Sequence, residues 1–319
     1  MNWTFAMNAI LQHPLYLFAT ALFVLALTGL TFWILKGKFL YKKIQKELQL
    51  HLPHFNKVFV DPFEIFYVKQ GQGPAIIFLH GIGASTYTWR FQIEELSKDF
   101  TVIALDLPGF GQSSKIVHWD YDLDAMTDIL LKFFDTLKIS QAFLVGSSMG
   151  GTLTLNLARV APHRFKKIAV LAPATDPRLV PQLVDHLHWT HRWVHRLLNE
   201  TVIRKIMALV HANPDMVNND SIKNYFSPYS EDPNAILVFL KATSIMTDKR
   251  LPKLFQSLPS ETLLLYGEKD KMVKLKYVKK ISSLLNTPII SHPNAGHHPQ
   301  EDESEWVNQQ LRSFFHQKI

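Results

Sequence analysis

From residue 57 onward, short apolar runs alternate with longer segments whose apolar residues recur at helical spacing. Eight runs read as strands: 57–60, 64–69, 75–79, 101–106, 142–146, 167–171, 262–267 and 288–291. Those at 142–146 and 262–267 are short and apolar enough to be buried strands. Helical segments separate the later runs, which argues for βαβ units and a parallel region. The 64–69 strand is expected to pair antiparallel with a neighbour. The pattern therefore predicts an α/β fold, a mostly parallel eight-stranded sheet with helices on both faces.

The interval 175–251 is too long for a simple connection between two strands. It carries helix patterns at 178–198, 202–211 and 234–247. It reads as an inserted helical cap, with 57–174 and 252–319 forming the core. Trp189, Trp193 and Leu197 recur every four residues. Packing inside the cap is their expected role, since one helix face must pack. An acyl channel or a membrane-facing patch are the other uses of such a stripe.

Residues 15–35 carry no charge, and only Thr20, Thr28, Gly29 and Thr31 interrupt their apolar character. As a helix they would span about 31 Å, enough for the hydrocarbon core of a bilayer. Tyr16 and Trp33 fall near the ends, where amphipathic rings favour the interface. A cleaved signal peptide would want a basic leader, and residues 1–14 hold no Lys or Arg. The reading is a tail (1–14), a transmembrane anchor (15–35) and a basic linker (36–56). Within the linker, Leu40, Ile44 and Leu48 recur at helical spacing among lysines, as on a helix lying at an anionic membrane surface. The lysines follow the span, so the N-terminus is expected outside and the body in the cytoplasm.

The net charge of +7 sharpens this picture. Residues 1–60 hold six lysines and one acid, Glu47, which leaves the body nearly neutral. A nucleic-acid-binding domain would carry a basic face of its own, so no nucleic-acid partner is expected. The chain has no cysteine, which removes disulfides and thiol nucleophiles.

The candidate chemistry starts where the 142–146 run meets a helix-compatible segment, at Gly146-Ser147-Ser148-Met149-Gly150. Gly-x-Ser-x-Gly in a strand–turn–helix context raises a serine hydroxyl above a sheet edge. Such a nucleophile needs a base and an orienting carboxylate, in the chain order Ser, acid, His. Asp270 follows the 262–267 strand and His297 follows the 288–291 strand, with Glu268 and His298 as the weaker alternatives. Both fall past strand C-termini, the edge where open α/β sheets carry their sites. His80-Gly81-Ile82-Gly83 follows the 75–79 strand, where the second oxyanion donor of such sites lies. The backbone N–H groups of Ile82 and Met149 are the candidates. His188, His191 and His195 could share a helix face as zinc ligands do, but no suitably spaced cysteine joins them and this chemistry needs no metal.

With these motifs and Asp106-Leu-Pro-Gly109-Phe-Gly111, the chain from about Val58 onward resembles the α/β-hydrolase fold family, in its serine-nucleophile branch. Serine at the elbow sets it apart from the haloalkane dehalogenases and epoxide hydrolases, which carry Asp there. The Ser-Met-Gly-Gly segment is similar to that of monoacylglycerol lipases, carboxylesterases and meta-cleavage product hydrolases. The resemblance implies Ser148 as nucleophile, Asp270 as acid, His297 as base, Ile82 and Met149 as oxyanion donors, and a structural role for Asp106. It implies no cofactor. The expected function is a membrane-anchored serine hydrolase of carboxylic esters with an apolar acyl part. C–C bond hydrolysis, acyl transfer, or ligand binding without catalysis on the same scaffold are the alternatives.

Overall fold

The computed structural model describes residues 55–180, 190–230, 232, 234–256 and 258–316. Its strands are β1 (Phe55–Val60), β2 (Phe63–Gln70), β3 (Ala75–Leu79), β4 (Thr101–Leu105), β5 (Phe143–Ser147), β6 (Lys167–Leu171), β7 (Glu261–Gly267) and β8 (Ile289–His292). They form one sheet in the order β1-β2-β4-β3-β5-β6-β7-β8. β2 pairs antiparallel with both β1 and β4, and every other pairing is parallel. These are the eight strands expected from the pattern, with ends that agree within two residues. Phe55 and Asn56, assigned above to the linker, begin β1.

The central strands are apolar because both faces are covered. Ile76, Ile77, Phe78 and Leu79 of β3 are fully buried, as parallel sheets under two layers of helices require. The helices of seven or more residues are α1 (Arg90–Leu96), α2 (Leu123–Thr136), α3 (Met149–Val160), α4 (His191–Leu197), α5 (Glu200–Val210), α6 (Asn219–Ser230), α7 (Asn234–Ala242), α8 (Leu275–Leu285) and α9 (Ser304–His316), with one-turn helices at Ser244–Thr247, Leu251–Leu254 and Pro299–Asp302. α2 shows why they form where they do. Asp122 caps its N-terminus by accepting from the Ala125 N–H, which satisfies one of the orphan donors there. Its buried residues Met126, Ile129, Leu130 and Phe133 fall on one stripe against the sheet.

α4 to α7 all lie between β6 and β7. Three features there differ from expectation. The expected 178–198 helix does not begin as a helix, and of its described residues only His191–Leu197 are α-helical. The chain makes a 3-10 turn at Pro177–Leu179 and is extended at Val180 (φ −112°, ψ 128°). Val180 precedes Pro181, and the proline ring disfavours helical backbone in the residue before it. α6 was not foreseen, because its polar sequence holds Pro228 inside the helix. Nor does the Trp193–Leu197 stripe pack inside the cap. Trp193 is 64% and Leu197 73% exposed, while Val194, itself partly exposed, and Leu198 after the helix border the cavity. Trp189 and His188 lie outside the described residues.

The expected anchor at 15–35, the tail and most of the linker also lie outside them. Among the described residues, no helix is long and apolar enough to cross a membrane.

Candidate active site

Ser148 sits between β5 and α3 with φ 53° and ψ −117°. A non-glycine residue there stores strain of about 1–3 kcal/mol and persists only when its surroundings over-determine it. They do. The Ser148 N–H donates to Leu171 O at 2.9 Å, and its carbonyl accepts from Thr152 and Ala174 at 3.2 and 3.1 Å. The flanking glycines are required by crowding. A Cβ on Gly146 would lie 2.2 Å from Gly150 O, and one on Gly150 would lie 2.1 Å from Leu79 O. The turn therefore closes against β3 only without side chains at those positions.

β7 ends at Gly267, and Asp270 stands in the turn that follows. Its Oδ1 accepts from the Met272 and Val273 N–H groups at 2.7 and 2.9 Å. Its Oδ2 accepts from His297 Nδ1 at 2.8 Å. The carboxylate is thus fixed by backbone donors before it meets the imidazole. His297 stands in the loop after β8. Its N–H donates to Val210 O, at the end of α5, at 2.8 Å. The Asp302 carboxylate accepts from Gly296 and Ala212 at 2.7 and 2.9 Å, which ties the same loop to the same helix end. With Nδ1–H committed to Asp270, the Nε2 lone pair is left for proton transfer.

Neither alternative takes these places. Glu268 accepts from the Ser291 hydroxyl and is exposed. His298 points its Nδ1 at Glu301, 3.0 Å away. Ser148, His297, Gly81 and Ile82 line one cavity of about 370 Å³. Its walls are apolar, from Ile203, Met207, Ile236, Phe239 and Leu240 among others. Met149 is the first residue of α3, where an N–H has no intrahelical acceptor.

The loops beneath are braced by the two other motif residues. His80 is fully buried. Its Nε2 accepts the Leu107 N–H at 2.9 Å and its Nδ1 donates to Gly81 O at 2.7 Å. Such an imidazole must be neutral, and burial pushes its pKa down to about 4. Asp106 accepts from the backbone of Thr86 and Gln112, both at 2.6 Å. Gly111 (φ +50°) passes so close that a Cβ would lie 2.1 Å from Asp106 Oδ2. Gly83 and Gly109 also have positive φ, 79° and 89°, a backbone that glycine adopts freely.

His80 has a consequence for acid stability. Its folded value lies below the unfolded 6.5, so the unfolded chain binds the proton more tightly. The contribution is complete above pH 6.5 and is lost as pH falls toward 4. Chemical denaturation from pH 7 to 4 should show wild type losing about 3 kcal/mol more than His80→Gln, which does not titrate in this range. Parallel pH profiles for the two proteins would contradict this.

One part of the site was not read from the sequence. Behind His297, Glu301 is 2% exposed and gathers four side chains. Oε1 takes Arg90 Nη1 at 2.5 Å. Oε2 accepts from Tyr225 at 2.5 Å, Thr88 at 2.9 Å and His298 at 3.0 Å. Burial alone would raise this carboxyl. The hydrogen bond from His298 and the charges of Arg90 and His211 outweigh it, and hold Glu301 well below the usual carboxylate range. Burial also lowers the pKa of His298. Among the described residues, His211, His298 and Glu301 bring metal-binding atoms within 4.8 Å of one another. The lone pairs of Glu301 are already taken by protein donors, so these residues are satisfied without an ion. The signal in the sequence was the Glu301-Asp302 pair four and five residues after His297.

The family model described as alpha/beta hydrolase fold matches residues 74–304. The chain is 26% identical over 266 residues to the uncharacterized hydrolase YugF of Bacillus subtilis, covering 80% of this chain and 95% of that protein. A crystal structure of a putative lipase from Acinetobacter baumannii superposes with a TM-score of 0.74 at 19% identity, over 85% of this chain and 95% of that one. A structure titled a membrane phospholipase A, a bacterial virulence factor, matches with a TM-score of 0.68 at 22% identity, over 95% of this chain and 98% of that one. With the family model spanning most of its length, the chain belongs to the alpha/beta hydrolase fold family.

Proposed function

We propose that the chain is a serine hydrolase that cleaves carboxylic esters with an apolar acyl part. Ser148 Oγ attacks the ester carbonyl. His297 Nε2 takes the hydroxyl proton, while Asp270 Oδ2 holds Nδ1–H and stabilises the imidazolium that forms. The backbone N–H groups of Ile82 and Met149 receive the oxyanion. His297 then gives its proton to the leaving alcohol. A water deprotonated by His297 attacks the acyl-enzyme and releases the acid. The observation that carries this reading is the 2.8 Å contact between Asp270 and His297 in the loops that face a strained Ser148. The apolar cavity supports the acyl preference, because apolar walls favour a hydrocarbon chain over a polar one.

On this reading, residues 175–251 act as the lid over the cavity. The uncharged 15–35 segment tethers the enzyme to a membrane as a single span, N-terminus outside and catalytic body in the cytoplasm. Single-chain lipid esters such as monoacylglycerols are then the substrates within reach.

The full chain should be labelled at Ser148 by a fluorophosphonate probe, which reacts only with an activated serine. A panel of esters of rising acyl length, including glycerolipid esters, a vinylogous diketone and competing alcohol acceptors, should show ester hydrolysis and no diketone cleavage. Absence of labelling, or turnover confined to the diketone, would overturn the proposal.

A further inference from the structure

We propose that the exposed apolar face of α4 and α5, with the segment after Asp270, docks on an anionic lipid bilayer, so that the cavity opens onto the lipid surface. This rests on the ester-hydrolase reading for its purpose, though not for its geometry. Nine large hydrophobic residues are exposed among the described residues, and seven of them belong to α4, α5 or the segment 272–275, three of which, Val194, Ile206 and Met272, border one cavity. Trp193, Leu197, Ile206, Leu209, Met272 and Leu275 form its bulk, with exposures from 41% to 73%. Clustering of this kind marks an interaction surface, whereas scattered exposed residues do not.

The face is also the rim of the cavity. Val194, Ile206 and Met272 line the same space as Ser148 and His297, although each is 39% to 47% exposed. Apolar side chains thus stand both at the exposed rim and inside the cavity that holds the nucleophile. An acyl chain leaving a bilayer there would meet Val194, Ile206 and Met272 on its way in.

Charge selects the occupant. Arg192, Arg196, Lys205, Lys271 and Lys274 are exposed around the patch, and Glu200 is the one acid on α4 and α5. The body as a whole is nearly neutral, so this basic rim is local. A basic rim around an apolar face is the arrangement of helices that lie in the interface of anionic membranes. Arg196 stands over the Trp193 ring at 5.4 Å. The pair suits a headgroup layer, where indole rings settle and arginine reaches for phosphate.

The chain contains no cysteine, so single cysteines can be labelled cleanly. The full chain is reconstituted in vesicles of phosphatidylcholine with phosphatidylglycerol, carrying a nitroxide quencher in the acyl chains. A fluorophore at Leu197→Cys should be quenched several-fold more than one at Val160→Cys. Val160 is also exposed, but ends α3 at the far side from the nucleophile. Leaving out phosphatidylglycerol should reduce the difference. Trp193→Ser with Leu197→Ser should slow turnover of a vesicle-borne long-chain ester about tenfold and leave a soluble short-chain ester unchanged.

Equal quenching at both sites, or wild-type turnover of the vesicle-borne ester by the double variant, would overturn the inference. So would concentration-dependent shielding of the 197 label without lipid, since a second copy would then occupy the face. Equal quenching with or without phosphatidylglycerol would remove the anionic requirement. Lipid contact at 197 with no hydrolysis of either ester would sink the hydrolase reading and leave the docking intact.

Discussion

Ser148→Ala is expected to lose at least about three decades of kcat/KM on its best ester, roughly 4 kcal/mol of transition-state stabilisation. The loss should fall on kcat, because the hydroxyl forms its new bond only in the transition state. The apolar walls that hold the acyl chain are untouched, so KM should change little. Alanine fits this position without rearrangement. The φ of 53° is imposed by the Leu171, Thr152 and Ala174 contacts, which are all made by the backbone. The variant should therefore melt near the wild-type temperature and lose all fluorophosphonate labelling. Single-turnover and steady-state assays on the same ester decide it. Retained turnover in a correctly folded Ser148→Ala protein is the result that ends the hydrolase reading.

Glu301→Ala should be the most destabilising single change at the site. It strands the Arg90 guanidinium, whose side chain is only 19% exposed, and leaves Tyr225, Thr88 and His298 without their acceptor. Removing one member of a buried ion pair costs about 3–5 kcal/mol. The partial exposure of Arg90 places this case near the lower end. For a body of this size, that lowers Tm by on the order of 10 °C. Glu301→Gln keeps the shape and some of the hydrogen bonds and should lie between. Thermal melts of the three proteins at pH 7 measure the order. A Glu301→Ala protein as stable as wild type would show that the cluster contributes nothing net. Tyr225 belongs to α6 while Glu301 follows the His297 loop, so the variant should also loosen the cap helix over the site.

The sheet was legible because each strand is a short apolar run and the period of such runs survives any packing. The candidate serine was legible because the turn at Ser148 tolerates so few residues. Gly146 and Gly150 are dictated by atoms about 2 Å from where a side chain would start, and that constraint is written into the chain. The cap was less legible. Its helices are chosen by what they pack against. Proline at 228 reads as a breaker, yet α6 continues through it. Proline at 181 does end helical backbone, at Val180. Local signals of equal strength thus gave opposite outcomes.

What the chain determined by itself is the position of the strands along the sequence, the sharp turn that presents Ser148, and the loops that carry Asp270 and His297. These depend on local periodicity and on backbone sterics within a few residues. What only the tertiary structure decided is which face of α4 meets solvent, and that Glu301 closes a buried cluster with Arg90, Thr88 and Tyr225. Those residues lie 211, 213 and 76 positions away in sequence. Burial and charge pairing across such distances follow from packing, which no local pattern encodes.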